Sequence, residues 1–469
     1  MPIASPRSIL GKVARAVGVG GGGRRAASAE ERLFLERGRA ALARGDIAGA
    51  VAEGAAAEHA VKGSTGAAAL RLSASRSAPI AGRGKDHALT AADIREALDR
   101  SRRLGHVNPV LVVYHQPSPD NPFQTLLYRR AWANGLAPVA LWDLDDLDRV
   151  RGDISAGTPV VLHLHWVNRV TAGAADAAEA GVRATAFAGR LDRLIAAGVR
   201  IVWTAHNVLP HDTRFEAADT EIRRAIVARA ALVHILAGST PELAAPLYRI
   251  PPERTVHVPL PSFRGAYADY VDRDTARAAL GVPADARLLA LVGGLRPHKG
   301  LGLLLDALDL AAEREPNLHL VVAGSPARAA ATDEFLARAA ANPRVTLHAR
   351  MLPPEDMQLF LRAADVAVLP YTVTLNSAVL MMALAFDLPV VVPPLGGLAE
   401  TIDAEVAVTF TPGDAASLAD AIIATRGLNS DAVRAAARRI CDEADADRLS
   451  DVLMAAIASA AMAAEAAPV

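Results

Sequence analysis

The chain has 469 residues, with 50 basic and 51 acidic side chains and a formal net charge of -1. That balance gives no electrostatic reason to expect a nucleic-acid partner, and a length of this order calls for two or three domains. The single cysteine, Cys441, excludes an intramolecular disulfide and any multi-cysteine metal site.

No apolar run reaches the length of a membrane span, and the first residues lack the long apolar core of a secretory leader. A cytoplasmic protein is expected, with membrane contact confined to the surface, at the inner face of the plasma membrane. Residues 1–27 carry Arg7, Lys12, Arg15, Arg24 and Arg25 without an acid and read as a basic flexible tail. Ser28 and Glu31 fit a capping box. Residues 28–103 then read as a helical appendage and linker, with a last helix over 90–103.

A first α/β domain is expected over 108–270. Its strands are VNPVLVVYH, Val139–Leu141, 158–167, 199–208, 231–238 and 255–261. QPSPDNPFQ reads as a polar loop and TLLYRRAWANG as the helix after it. A second α/β domain is expected over 275–430. It opens with LLALVGGLRPHKG at 288–300 and the amphipathic helix that follows. Further strands are expected at 318–326, 344–352, 365–371 and 389–397, with a helix over 376–386. Residues 431–469 read as C-terminal helices that cross back to brace the first domain. Apolar strands alternating with helices imply parallel sheets covered on both faces.

In such sheets ligands collect beyond the carboxyl ends of the strands. In the first domain those ends carry His115, Asp120 and Asn121, His165 and Trp166, and His206, Asn207, His211 and Asp212. In the second they carry Gly293, Gly294, Arg296 and Lys299, Gly324 and Ser325, Arg350, Tyr371 to Ser377, and Gly396, Gly397 and Glu400. Glycines let a backbone turn tightly and approach a ligand. Arg offers a forked donor and Lys a point charge for phosphate oxygens, and a helix start adds N–H groups. Residues 293–300 therefore read as a diphosphate site. No HExxH occurs, and no carboxylate or cysteine stands at ligand spacing, so no metal is expected. His163 and His165 are expected on opposite faces of their strand, one of them under a helix. Met381, Leu384 and Phe386 read as core. Trp166 and Tyr371 line a groove or fill the core.

GGLRPHKG resembles the GRLxxxKG phosphate motif of the group 1, GT4-type glycosyltransferases. LPYTVTLNSAVLMMALAFDLPVVVPPLGGLAE resembles the later donor segment of that group. The likeness covers roughly 108–430. It implies a GT-B fold, with two facing Rossmann-like domains, the first for the acceptor and the second for a nucleoside-diphosphate sugar, either a GDP or a UDP sugar. It implies hexosyl transfer to a hydroxyl of a glycan or glycolipid, with no obligatory cofactor. By the resemblance, Arg296 and Lys299 neutralise the diphosphate and Gly293 and Gly294 form the close-approach loop. Pro370 to Ser377, with Tyr371, Asn376 and Ser377, meet the sugar and phosphates. Gly396, Gly397 and Glu400 close the site, while Arg350, Met351 and Leu352 fall where the base is held.

The usual pair of glutamates is absent, since Thr374 and Met382 stand at their places. NSAVLMMALAFDLPVV is more similar to bacterial mannosyltransferases of exopolysaccharide or glycolipid assembly, which implies GDP-mannose as donor. If the reaction inverts, a base is needed on the acceptor side. Asp120 is the first candidate and His206 the second. Asp120 is equally suited to capping the next helix, and His206 to binding the donor sugar or acceptor. The alternatives are a non-catalytic binding protein of the same fold and a sugar-nucleotide epimerase. An NAD(P) enzyme is disfavoured, because no GxGxxG follows a first strand.

Overall fold

The computed structural model describes residues 88–118, 121–211, 213–269 and 271–463. The expected tail, most of the expected appendage, Asp120 and Asp212 lie outside those residues. The described chain forms two compact units, one from 88–261 with 444–463 and the other from 262–443. Among the described residues no helix is long and apolar enough to cross a membrane.

The first unit holds β1 (Val110–His115), β2 (Leu136–Leu141), β3 (Val160–Leu164), β4 (Val199–Ala205), β5 (Leu232–Ile235) and β6 (Thr255–His257). They pair in the order β2-β1-β3-β4-β5-β6, parallel throughout. Helix α1 (Ala91–Arg103) leads into β1, and parallel neighbours need crossovers, which are α2 (Pro122–Leu127), α3 (Leu144–Val150), α4 (Ala177–Ala196), α5 (Glu216–Arg229) and α6 (Thr240–Ala244). Every residue of β1 is buried, which explains its continuous apolar run. Thr90 and Asp93 close a capping box at the start of α1, and Ile94, Ala97 and Leu98 turn its apolar face into the core of the first unit.

The helix expected over 125–135 is shorter and starts earlier. Pro122 presets the first helical turn, and Asn121 Oδ1 accepts the Phe123 N–H at 3.0 Å. The helix stops at Leu127, and the Arg130 N–H donates to Ser450 Oγ at 3.0 Å. Competition from a distant helix thus ends a pattern that the local sequence would continue.

The second unit holds β7 (Arg287–Val292), β8 (Leu318–Ala323), β9 (Val345–His348), β10 (Val366–Val368), β11 (Val390–Val392) and β12 (Ala407–Thr409). Their order is β12-β11-β10-β7-β8-β9, again parallel. The helices are α7 (Arg273–Leu280), α8 (Leu301–Arg314), α9 (Ala330–Ala341), α10 (Met357–Ala363), α11 (Ala378–Ala385), α12 (Gly396–Thr401), α13 (Ala415–Ala424) and α14 (Ser430–Glu443). Gly396 and Gly397, expected in a loop, instead open the short helix α12. The two sheets are those of the GT-B architecture. Each reverses its strand order once, between β1 and β3 and between β7 and β10. Loops diverge at such switch points and leave a crevice for ligands.

The last helix, α15 (Ala446–Met462), packs on α2, β3, β4 and β5 of the first unit. Ser450 Oγ donates to the Leu127 carbonyl at 2.6 Å, and Leu453, Met454 and Ile457 are fully buried. Leu453→Ala is expected to cost about 2–5 kcal/mol of first-unit stability through the cavity it opens. The four tryptophans, Trp132, Trp142, Trp166 and Trp203, all belong to that unit. Urea unfolding followed by tryptophan fluorescence therefore reads the loss directly.

Candidate functional site

At the switch point of the second unit, β7 ends at Val292 and the chain leaves through Gly293, whose φ is 101°. That conformation favours glycine. A Cβ on Gly324 would lie 1.8 Å from the Gly293 carbonyl oxygen, and one on Gly300 would lie 1.8 Å from the Pro370 carbonyl oxygen. The loops after β7, β8 and β10 therefore touch backbone to backbone. Hydrogen bonds hold them in place. Gly293 N donates to Ala323 O at 2.9 Å, Leu295 N to Ser325 O at 2.9 Å, and Thr372 N to His298 O at 3.1 Å. Gly397 N donates to Leu375 O at 2.8 Å, which adds the start of α12.

This frame presents Lys299. A 3-10 turn over Pro297–Lys299 ends at Gly300, with φ 63°, and α8 begins at Leu301 without an acid in its first turn. Lys299 Nζ lies 3.3 Å from where a Cβ on Gly293 would stand and 5.3 Å from the Tyr371 ring centre. The Tyr371 ring is buried and its hydroxyl meets Ser377 Oγ at 3.3 Å. Ser377 in turn caps α11, accepting Leu380 N at 3.2 Å. Tyr371 is thus part of the core and also the floor beneath an ammonium group. Arg296 is exposed on the same loop. A lysine, an arginine and the amide end of a 14-residue helix converge on glycines, a combination suited to phosphate oxygens.

The other expected residues divide. Gly294, Asn376, Ser377 and Gly397 lie on the loops just described, and Glu400 is exposed on α12. Gly324 serves the frame through its contact with Gly293. Arg350 lies beyond β9, the edge strand, where it donates to the Met351 carbonyl at 3.2 Å and reaches the buried Asp356 carboxylate at 3.5 Å. Met382 is buried in α11, and Thr374 Oγ1 donates to the Asn376 carbonyl at 2.8 Å.

The first unit gathers rings at its own strand ends. His163 and His165 do not point to opposite faces. Residues two apart share a face, their ring centres are 4.4 Å apart, and both are buried. Each bonds the hydroxyl of buried Tyr128, His163 through Nδ1 at 2.6 Å and His165 through Nε2 at 2.9 Å. His206 is half-buried. It bonds His165 Nδ1 at 3.0 Å and stacks on Trp166 with ring centres 4.3 Å apart, so Trp166 props it. Burial, then the neighbouring His234, lowers the His206 pKa to about 3. Burial lowers that of His234 to about 4, against the Val258 carbonyl that favours its charged form.

His115 turns to the Leu141 carbonyl at 3.3 Å, and Asn121 caps α2, so both are structural. His211 is exposed. Among the described residues no group of three His, Cys, Asp or Glu side chains is arranged to hold a metal. The sequence reading missed Tyr128, Thr204 and His234, whose roles arise only through neighbouring strands. It also missed Gln116, at the end of β1, which is 6% exposed. Gln116 holds φ 63°, rare for a residue with a side chain, and its Nε2 has no hydrogen-bond partner.

Two measurements test this geometry. Gly300→Ala drives a Cβ onto the Pro370 carbonyl at positive φ and is expected to destabilise by more than about 2 kcal/mol, read by thermal unfolding. His206 and His234 are neutral when folded, while in the unfolded chain they titrate near the ordinary 6.5. Their contribution to stability is complete above that value and is lost progressively as pH falls toward about 4 and about 3. The limiting slope is about 1.4 kcal/mol per pH unit for each histidine. His234→Asn should flatten the fall of the urea midpoint between pH 6.5 and 4.

Residues 286–425 match the model of the family described as glycosyl transferases group 1. The chain is 33% identical over 217 residues to a D-inositol 3-phosphate glycosyltransferase of Corynebacterium efficiens, covering 43% of this chain and 51% of that one. The match to the enzyme of that name from Mycobacterium bovis is 33% over 156 residues, covering 32% of each. The chain thus spans about half or less of the length of these curated relatives. Among solved structures, Anabaena HepE in complex with UDP-glucose superposes with a TM-score of 0.55 at 16% identity, covering 74% of this chain and 99% of that one. Sucrose-phosphate synthase from Thermosynechococcus elongatus gives a TM-score of 0.55 at 15% identity, covering 73% and 97%. The chain has the GT-B fold, and its second unit is related to the group 1 glycosyl transferases.

Proposed function

We infer that this protein is a glycosyltransferase that moves a hexosyl group from a nucleoside-diphosphate sugar to a hydroxyl acceptor. The observation that carries the reading is Lys299, whose ammonium group rests on the Tyr371 ring beside Gly293 where α8 begins. In such a transfer the bond from the anomeric carbon to the diphosphate breaks, and negative charge grows on the departing phosphate oxygen. Lys299, Arg296 and the first amides of α8 stabilise that charge, and preorganised donors of this kind are usually a large part of catalysis. The glycines at 293 and 294 allow the phosphates to come close.

Position 382 is a buried methionine and position 374 a threonine turned onto the backbone, so neither supplies a carboxylate, and Asn376 and Glu400 are among the polar residues of the donor loops. On the acceptor side His206, neutral and propped on Trp166, accepts a hydrogen bond from the incoming hydroxyl, and Asp120 is the base proposed from sequence. The NSAVLMM segment supports mannose from GDP-mannose and a glycan or glycolipid acceptor. The names of the solved neighbours point to UDP-glucose as the competing donor. With such a donor the chain works in the cytoplasm, where the basic residues of 1–27 suit contact with an anionic membrane face. The absent carboxylates at 374 and 382 favour one second reading, a protein that binds the donor without turning it over.

Purified protein offered GDP-mannose or UDP-glucose with glycolipid acceptors is expected to release the nucleoside diphosphate and a glycosylated product. Intact donor with every acceptor, alongside measurable donor binding, would establish the second reading. Lys299→Ala should lower turnover by at least about 100-fold, in line with loss of a charge-stabilising donor. Its melting temperature should stay within about 2 °C of the parent. Turnover equal to the parent would remove Lys299 from the diphosphate site.

A further inference from the structure

We propose that a chain of hydrogen bonds starting at the Val258 carbonyl fixes the tautomer of His206, placing its proton on Nε2 and leaving Nδ1 as the acceptor nitrogen. The chain runs through His234, Thr204, His163, Tyr128 and His165, which makes these five positioning residues for His206.

The direction follows from one group. A backbone carbonyl only accepts. His234 Nε2 lies 2.8 Å from the Val258 oxygen and must carry the proton. A neutral imidazole has one proton, so His234 Nδ1 accepts, and Thr204 Oγ1 donates to it at 3.0 Å. Having given its only proton, Thr204 Oγ1 accepts from His163 Nε2 at 2.8 Å. His163 Nδ1 then accepts from the Tyr128 hydroxyl at 2.6 Å. The Tyr128 oxygen accepts from His165 Nε2 at 2.9 Å. His165 Nδ1 accepts from His206 Nε2 at 3.0 Å.

The strand register builds the path. Thr204 and His234 are directly paired across β4 and β5. His163 and His165 share one face, as their two-residue spacing requires. The chain holds together only while every imidazole is neutral, because an imidazolium donates from both nitrogens and reverses each bond beyond it. The surroundings meet that condition. His163, His165, His234, Thr204 and Tyr128 are each at most 1% exposed, and the groups that bear electrostatically on the buried histidines are other histidines.

The use of this tautomer rests on the acceptor-side role given to His206 above. A group that takes a proton from a hydroxyl, or accepts its hydrogen bond, needs a nitrogen lone pair facing it. The opposite tautomer would present N–H. A buried orienting partner serves this purpose in general acid–base sites, and here a carbonyl does so through five intervening side chains.

The test is nitrogen NMR of the full chain labelled with 15N-histidine at neutral pH, which reports which ring nitrogen is protonated. All four histidines, His163, His165, His206 and His234, should show Nε2–H. Tyr128→Phe cuts the chain in the middle. His234 and His163 should keep Nε2–H, while His165 and His206 should gain an Nδ1–H population. Thr204→Val should release His163, His165 and His206 and spare His234, and Thr204→Ser should restore the parent pattern. A parent His206 protonated on Nδ1 would overturn the proposal, as would a folded Tyr128→Phe protein with unaltered His165 and His206. In the release assay Tyr128→Phe should lower kcat about tenfold, the order of one lost hydrogen bond to the acceptor hydroxyl, with the donor KM unchanged. Unchanged kcat beside a released His206 tautomer would overturn the role of His206 in transfer and leave the tautomer assignment standing.

Discussion

The second unit depends on one kind of contact, the approach of a glycine to a neighbouring carbonyl, made by Gly300 on Pro370 and by Gly324 on Gly293. Three loops leave three neighbouring strands, and neither Gly300 nor Gly324 has room for a Cβ where they meet. This closeness fixes the height of Lys299 above the sheet and lets Tyr371 support it from below. It also brings the loop after β10, through Pro370 and Thr372, onto the turn that starts α8. A side chain at either glycine would part the loops, and the charges would then be spread over solvent-exposed turns, where they count for little.

The first unit solves a different problem. It buries polar rings at the carboxyl ends of β3, β4 and β5, where unpaired polar atoms would be costly. They are paired with one another and with Tyr128 and Thr204, so the cluster is satisfied without a carboxylate or a metal in the hydrogen-bond chain. Keeping charge out of the cluster is also what keeps its bonds pointing one way. Trp166 and Phe123 close over the outer member, His206, which remains half-buried.

Much of this was legible from local pattern. The apolar runs of β1 and β7 and the amphipathic run of α8 named the strands and the helix, and GGLRPHKG named the loop between them. What depended on distant residues was not. The length of α2 is set by Ser450, more than three hundred positions away. The position of Gln116 in the left-handed region has no residue signature, since glycine is the usual occupant. His163 and His165 were visible as residues, and a strict period of two places them on one face. Their shared partner, Tyr128, lies beyond a helix that sequence alone extended too far.

The return of α15 to the first sheet has a consequence for how the chain is made. The described part of the second unit is continuous, from 262 to 443, whereas the first unit needs both 88–261 and 444–463. Domains of a nascent chain ordinarily fold from the N-terminus onward. Here the earlier-synthesised sheet must wait, with the faces under α15 uncovered, until the last helix leaves the ribosome, while the later-synthesised unit already has all its described elements. The order of completion of the described units is therefore the reverse of the order of synthesis, and until α15 emerges the apolar faces of the first sheet that it covers stay exposed.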